Sequence, residues 1–238
     1  MTARDPEPGL VELVEEMVQT LPGAAGKGAP DTTAVAAVAA FAAVTAAAPA
    51  LARYLALLRE ANEAMNLVSR SAATPPELVF RHLFDALCGL AHLPERGQRR
   101  LRLLDVGSGG GFPAVPILLL RKDLAATLVE STKKKARFLE ELRAPLELTF
   151  DVSDARFPDS FPMAKTPPFD LLTTRAVARA GRIVRSARPV LRRGARALLW
   201  TTAPLFEEAL GDSGFHRGAF HETPGSERRG IGVIECST

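Results

Sequence analysis

Two cysteines in 238 residues, Cys88 and Cys236, cannot build a disulfide framework. Neither sits in a CxxC pair or among ligand-spaced His, Asp or Glu, so no metal site is expected. Aromatics are scarce, with one Trp and one Tyr beside 12 Phe, which argues against a stacking platform for single-stranded nucleic acid. The net charge of +3 permits a polyanionic partner without requiring one. The start carries Arg4, Asp5, Glu7, Glu12, Glu15 and Glu16, not the basic-then-apolar order of a secretory leader, and a reducing cytoplasm is the expected compartment. One long charge-free run exists, Thr32 to Ala52. It has the length of a membrane span. Its alanines and Pro49 favour instead a helix that packs a small-residue face on the protein, with no membrane.

What is present is globular. Apolar residues at 47% and charged residues at 24% exclude a disordered or fibrous chain, and the length fits one α/β domain with an appendage, or two small domains. Leu10 to Leu21 has apolar residues at helical spacing. A Gly/Pro linker at 21–30 follows, Asp31 can cap a second helix, and Leu51 to Asn66 reads as a third. Pro75 and Pro76 open another, Glu77 to Leu93. From about residue 96 the texture alternates, with strands at Leu101–Val106, Ala126–Glu130, Glu147–Val152, Phe169–Thr174 and Arg196–Thr201. Helices fall at Ala114–Leu120, Lys133–Leu142 and Ala178–Leu191. Such alternation predicts a mostly parallel sheet, closed by an antiparallel hairpin of Phe215–Phe220 and Gly230–Cys236. The expected organisation is a helical region over 1–95 and an α/β domain over 96–238.

The most informative segment runs from Leu103 through Asp105, Gly107, Ser108, Gly109, Gly110, Gly111 and Phe112 to Pro113. It places a glycine turn between the first strand and the next helix, where backbone can approach a ligand. A dinucleotide fingerprint needs glycine where Phe112 stands, and a Walker loop needs a Gly-Lys-Ser/Thr ending that is missing. A second acid, Glu130, ends the next strand. On S-adenosylmethionine each part has a task. Loop N–H groups take the methionine carboxylate, Asp105 takes the ammonium, and Glu130 accepts both ribose hydroxyls. Asp154 and Ala155, after the third strand, are placed to meet the adenine, although an exposed loop aspartate reads equally well. A structural glycine turn serving another nucleotide is the alternative for the whole loop.

These residues resemble the guanine-N7 methyltransferases of bacterial small-subunit ribosomal RNA, the RsmG or GidB family. Asp105 to Pro113 with Pro116 anchors the resemblance, which runs from about Leu51 onward. Supporting matches are Asn66-Leu67, His82-Leu83-Phe84-Asp85, Glu130-Ser131, Lys134-Lys135, Phe138-Leu139, Phe169-Asp170, Thr174-Arg175-Ala176, Pro224 and Arg229. It departs at Ala61-Asn62, where the family has Trp-Asn, and at Asp85-Ala86, where it has Asp-Ser. After the fifth strand Trp200-Thr201-Thr202 stands where Lys-Gly is expected, and the family's Arg-Ala-Glu is not clear in Val152 to Arg156. The resemblance implies a Rossmann-like class I methyltransferase domain, S-adenosylmethionine as cofactor, and 16S ribosomal RNA or the assembled small subunit as partner. The sequence does not determine the oligomeric state, and a monomer is the default expectation.

Guanine N7 carries an exposed lone pair and needs no general base, so alignment carries the catalysis. Arg175 is the candidate catalytic residue through positioning of the acceptor, and it is also assigned to the cofactor cleft. A salt bridge from Arg175 to Asp170 or Glu130 is the structural alternative. His82 and Asp85, one helical turn apart, either face the same cleft or pack in the helical region. Phe112 is the aromatic best placed for a base. Lys133, Lys134, Lys135 and Arg137, and Arg185, Arg188, Arg192 and Arg193, are candidates for phosphate contacts or plain solvated faces. A diverged small-molecule methyltransferase and a non-catalytic relic that binds cofactor or RNA remain as other readings.

Overall fold

The computed structural model describes residues 8–20, 32–226 and 228–237. The expected linker at 21–30, the Asp31 cap and the first acids of the chain lie outside the described residues. Helix α1 spans Pro8–Thr20 and α2 spans Thr32–Met65. Two helices were expected across Thr32 to Asn66, and one is found. Its buried stripe of Val44, Ala48, Leu51, Leu55 and Leu58 runs unbroken past the exposed Pro49, so packing outweighs the lost backbone donor. A continuous helical run then covers α3 (Pro75–Glu77), a π-helical stretch (Leu78–Leu83), α4 (Phe84–Cys88) and a 3-10 turn (Gly89–His92). Among the described residues no helix is long and apolar enough to cross a membrane.

The sheet contains β1 (Leu101–Val106), β2 (Leu124–Val129), β3 (Asp151–Ser153), β4 (Phe169–Arg175), β5 (Leu191–Thr201), β6 (Gly218–Glu222) and β7 (Gly230–Cys236). Its order is β3-β2-β1-β4-β5-β7-β6, with β1 to β5 parallel and the last two strands antiparallel. The expected Rossmann-like architecture is therefore present. Helices α5 (Ala114–Leu120) and α6 (Lys133–Glu141) pack on one face with α2 and the helical run, while α7 (Ala180–Ala187) and α8 (Ala203–Ser213) pack on the other. Strand alternation explains the division, since Leu198 and Trp200 belong to the first core and Ala197 and Leu199 to the second.

Three expectations are corrected. The third strand is only Asp151–Ser153: at the start of the expected segment Glu147 takes a left-handed backbone (φ 51°) and Leu148 N donates back to Arg143 O at 2.9 Å, so the chain turns there instead of extending. The helix expected to reach Leu191 ends as α at Ala187 and tightens into a 3-10 turn, Arg188–Val190, which contains Pro189 and leads straight into β5. Helix α8 was not anticipated. It seats Phe206 against Gly232, where a Cβ would lie 2.1 Å from the ring. Burial pushes both cysteine thiols up to about 12, which keeps them in the inert thiol form.

Candidate active site

Strand order reverses at β1, which pairs with β2 on one side and β4 on the other. In an open parallel sheet the crevice at such a point, at the carboxyl ends of the strands, receives the ligand. Asp105, Glu130, Asp154 and Arg175 all lie at those ends.

The glycine turn is held from several directions. The amides of Gly107 and Ser108 donate to the Val129 carbonyl at 2.9 and 3.2 Å, and Gly111 N donates to Ser108 O at 2.6 Å. Glu130 accepts from Gly109 N at 2.9 Å with one oxygen and from Thr132 N at 2.8 Å with the other. It thus shapes the loop, a role spacing alone does not reveal, and each oxygen keeps a lone pair for a hydroxyl donor. Of the loop amides expected to receive a carboxylate, those of Gly107, Ser108, Gly109 and Gly111 are engaged within the protein. Ser108 is turned inward, donating its hydroxyl to Asp105 O at 3.1 Å.

Asp105 is 1% exposed; Thr173 donates to one oxygen at 2.6 Å, and the other has no partner. Burial pushes this carboxyl up to about 7, against the Thr173 donation. An unsatisfied buried acceptor beside a glycine turn fits an ammonium or water-bridged donor from a ligand. Gly109 adds to the fit: a Cβ there would meet only Gly107 O, at 3.8 Å, so the space is open to a ligand. Asp154 is exposed and Ala155 half-buried, at the end of β3 where an adenine could be flanked.

The N-terminal helices close the other side. Tyr54, fully buried on α2, donates to Gly110 O at 2.9 Å. Burial raises its phenol well above the ordinary value and keeps it a donor. Leu58 and Leu67 press on Gly110, and Asn62 accepts from Val68 N at 2.9 Å to fix the turn between them.

Phe112, the aromatic best placed for a base, is packed within the protein. Only 7% exposed, its ring meets Tyr54 edge-on at 5.2 Å, His82 nearly parallel at 5.5 Å and the Arg175 guanidinium at 5.5 Å. Its part in the cleft is to support Arg175 from beneath.

Arg175 does not pair with Asp170 or Glu130. It contacts His82, through Nδ1 at 2.7 Å and the backbone carbonyl at 3.2 Å, and lies 3.7 Å from the Asp85 carboxylate. Asp170 sits at the other end of β4, paired with Arg99 and Arg192. Asp85 also receives Arg229 from the loop before β7, and its backbone carbonyl accepts from Trp200 Nε1 at 2.7 Å. Burial drives Asp85 upward while the two guanidiniums pull it down, leaving a net rise. Burial first, then Arg175, lowers His82 to about 4, so the imidazole is neutral beside the cation. Trp200 fills the position of the expected Lys-Gly and lies against Gly89, where a Cβ would come within 2.3 Å of its ring.

The two basic groups part company. Lys133, Lys134 and Lys135 begin α6, three residues and more after Glu130. Arg185, Arg188, Arg192 and Arg193 lie where α7 turns into β5, at the far end of the sheet. Arg192 contacts Asp170, five residues before Arg175 on β4, or about 17 Å at ~3.3 Å per residue. The second group therefore lies at the opposite end of β4 from Arg175.

A family model described as rRNA small subunit methyltransferase G, GidB, matches residues 47–212. The ribosomal RNA small subunit methyltransferase G of Leptothrix cholodnii is 37% identical over 148 residues, 62% of this chain and 66% of that protein. Its namesake in Sorangium cellulosum is 38% identical over 178 residues, 73% of each chain. The match thus spans just under two thirds of the Leptothrix relative. Among solved structures, the CurJ carbon methyltransferase superposes with a TM-score of 0.55 at 14% identity, covering 98% of this chain and 82% of that one, a likeness of fold alone.

Proposed function

The chain belongs to the rRNA small subunit methyltransferase G family, and from that premise we propose that it transfers a methyl group from S-adenosylmethionine to N7 of a guanine in 16S ribosomal RNA. The observation that carries the reading is the pair of carboxylates, Asp105 and Glu130, ending adjacent strands on either side of the glycine turn. When bound, the cofactor supplies a sulfonium methyl open to attack. Asp105 holds its ammonium, Glu130 its ribose hydroxyls, Gly109 gives it room, and Asp154 and Ala155 border its adenine.

No residue has to remove a proton, because N7 attacks with its own lone pair. The neutral His82 and the charged Arg175 agree with that chemistry: neither is poised as a base. Arg175 aligns the acceptor through the guanine edge or an adjoining phosphate, and the rigid seat made by Phe112, His82 and Asp85 limits its freedom. Lys133 to Lys135 meet phosphates. The partner is naked 16S RNA or the small subunit, in the cytoplasm, with the protein acting as a monomer.

The test is a nucleoside digest of 16S RNA from a strain deleted for the gene. One N7-methylguanosine should disappear and return when purified protein and S-adenosylmethionine are added to the mutant's small subunits. An unchanged digest would refute the reading.

A further inference from the structure

Away from the cofactor cleft, a cavity of about 690 Å³ opens on the antiparallel side of the sheet. Arg196, Glu235, Val233, Ala219 and His221 share one face of β5, β7 and β6, as the registers Arg196↔Glu235, Ala219↔Val233 and His221↔Ile231 require. It is the face of Leu198 and Trp200, on which the helical run ends at His92. Helix α8 packs Phe206 on the opposite face. The cavity is walled by His92, Arg196, His216, Arg217, His221 and Glu235.

Five of those six side chains donate hydrogen bonds or can carry positive charge. The lone acid, Glu235, has Arg217 at 3.8 Å. Arg196 is fixed at the floor by its bond to the His92 carbonyl at 3.1 Å, and the His92 and His221 rings lie 4.3 Å apart. Burial, and then His221 and Arg196, hold His92 down at about 4. With His92 neutral, Arg196 and Arg217 face the single carboxylate of Glu235, which leaves one net positive charge and a set of N–H donors for an entering anion. His216, Arg217 and His221 are exposed along the rim, which suits a strand laid across the cavity rather than a small ion enclosed in it.

We propose that this cavity receives the sugar-phosphate backbone of the RNA substrate, as a second contact distinct from the methyl-transfer site. The inference rests on the RNA reading above. The same helical run carries His82, beside Arg175, and His92, in the cavity; ten residues at ~1.5 Å each set them about 15 Å apart. One RNA element can therefore present its guanine at Arg175 and a phosphate at Arg196 and Arg217 together, and the second contact fixes its register.

The test compares wild type with the triple variant His216→Ala, Arg217→Ala, His221→Ala, whose altered side chains are all exposed. Methyl transfer to small subunits lacking the modification is measured across salt concentrations, alongside calorimetric titration with S-adenosylmethionine. The expected result is a KM for subunits raised about tenfold and a shallower salt dependence, by about one in the slope of log KM against log salt, with kcat and cofactor affinity unchanged. Histidine resonances followed by NMR with inorganic phosphate, and then with a 16S RNA fragment, form the second arm. RNA should shift His92 and His221 at far lower concentration than phosphate does. An active wild type with an unchanged KM in the variant, or shifts with phosphate but none with RNA, would overturn the proposal while leaving the methyltransferase reading intact. A wild type that transfers no methyl to subunits would overturn that reading, and this inference with it.

Discussion

Arg229, just before the last strand, donates to the carboxylate of Asp85, 144 residues earlier in the chain. Arg175 approaches the same carboxylate from the end of β4. One buried acid thereby ties the helical run, the parallel sheet and the C-terminal hairpin together at the acceptor side of the cleft.

Asp85→Ala should be severely destabilising, by about 3 to 5 kcal/mol, because it strands the largely buried Arg175 without its counter-charge. Asp85→Asn, which keeps an acceptor oxygen, should lose less. Urea denaturation at pH 7 measures both; equal stability of Asp85→Ala and wild type would show that the cluster contributes nothing.

Arg175→Ala should lower methyl transfer on the order of a hundredfold while leaving S-adenosylmethionine affinity within a few-fold. Arg175→Lys should recover little, since a point charge cannot bond His82 and reach the acceptor with the same planar fork. Tritiated methyl transfer to unmodified small subunits, with circular dichroism as the folding control, decides it. Full activity in the alanine variant would remove Arg175 from the mechanism.

Cofactor affinity should tighten as pH rises through about 7. Asp105 is protonated below that value, and a neutral carboxyl does not pair with an ammonium. Calorimetry at pH 6 and pH 8, repeated in buffers of different ionisation enthalpy, should detect proton release on binding at the lower pH. Asp105→Asn should bind more weakly and show a flat profile.

Gly109→Val should abolish cofactor binding yet preserve the fold. The position has φ 52° and open space, so the substitution costs roughly 1 to 2 kcal/mol of left-handed strain without a clash inside the protein. Gly110→Ala differs in kind, because its Cβ would lie 2.7 Å from Leu58 and 3.3 Å from Leu67, and it should loosen the helical cover. Circular dichroism beside titration separates the two; loss of helix signal in Gly109→Val would contradict the assignment.

Acid should weaken the fold through His82. Its folded value of about 4 lies below the ordinary 6.5, so the unfolded chain binds the extra proton first. The stabilising contribution is complete above about pH 6.5 and is lost as pH falls towards 4. Denaturation curves for wild type and His82→Asn should converge at low pH; parallel curves would contradict the shift.

The sheet, its crossovers and the hairpin were legible because buried parallel strands read as short apolar runs bounded by glycine, and Asp105 and Glu130 because strand ends fix where acids fall. The cofactor half of the site is local in sequence. The acceptor half is not. Arg175 reaches His82 across 93 residues and Trp200 reaches Asp85 across 115, and no spacing rule encodes pairings made by folding. The alternative partner Asp170 failed for a simple reason: a strand separates its ends, and Asp170 stands at the wrong one. Helix α8 escaped because Pro204, Gly211 and Gly214 mask a short apolar face.

The chain contains a single tyrosine and a single tryptophan. Tyr54 is bonded to the glycine loop and Trp200 to the backbone of Asp85. Only the indole can be excited apart from the phenol, and a phenol this near an indole passes its excitation to it, so Trp200 is the native reporter. It sits on the backbone of Asp85, and events at that side of the cleft can therefore be followed in the unlabelled protein and in real time by stopped-flow measurement.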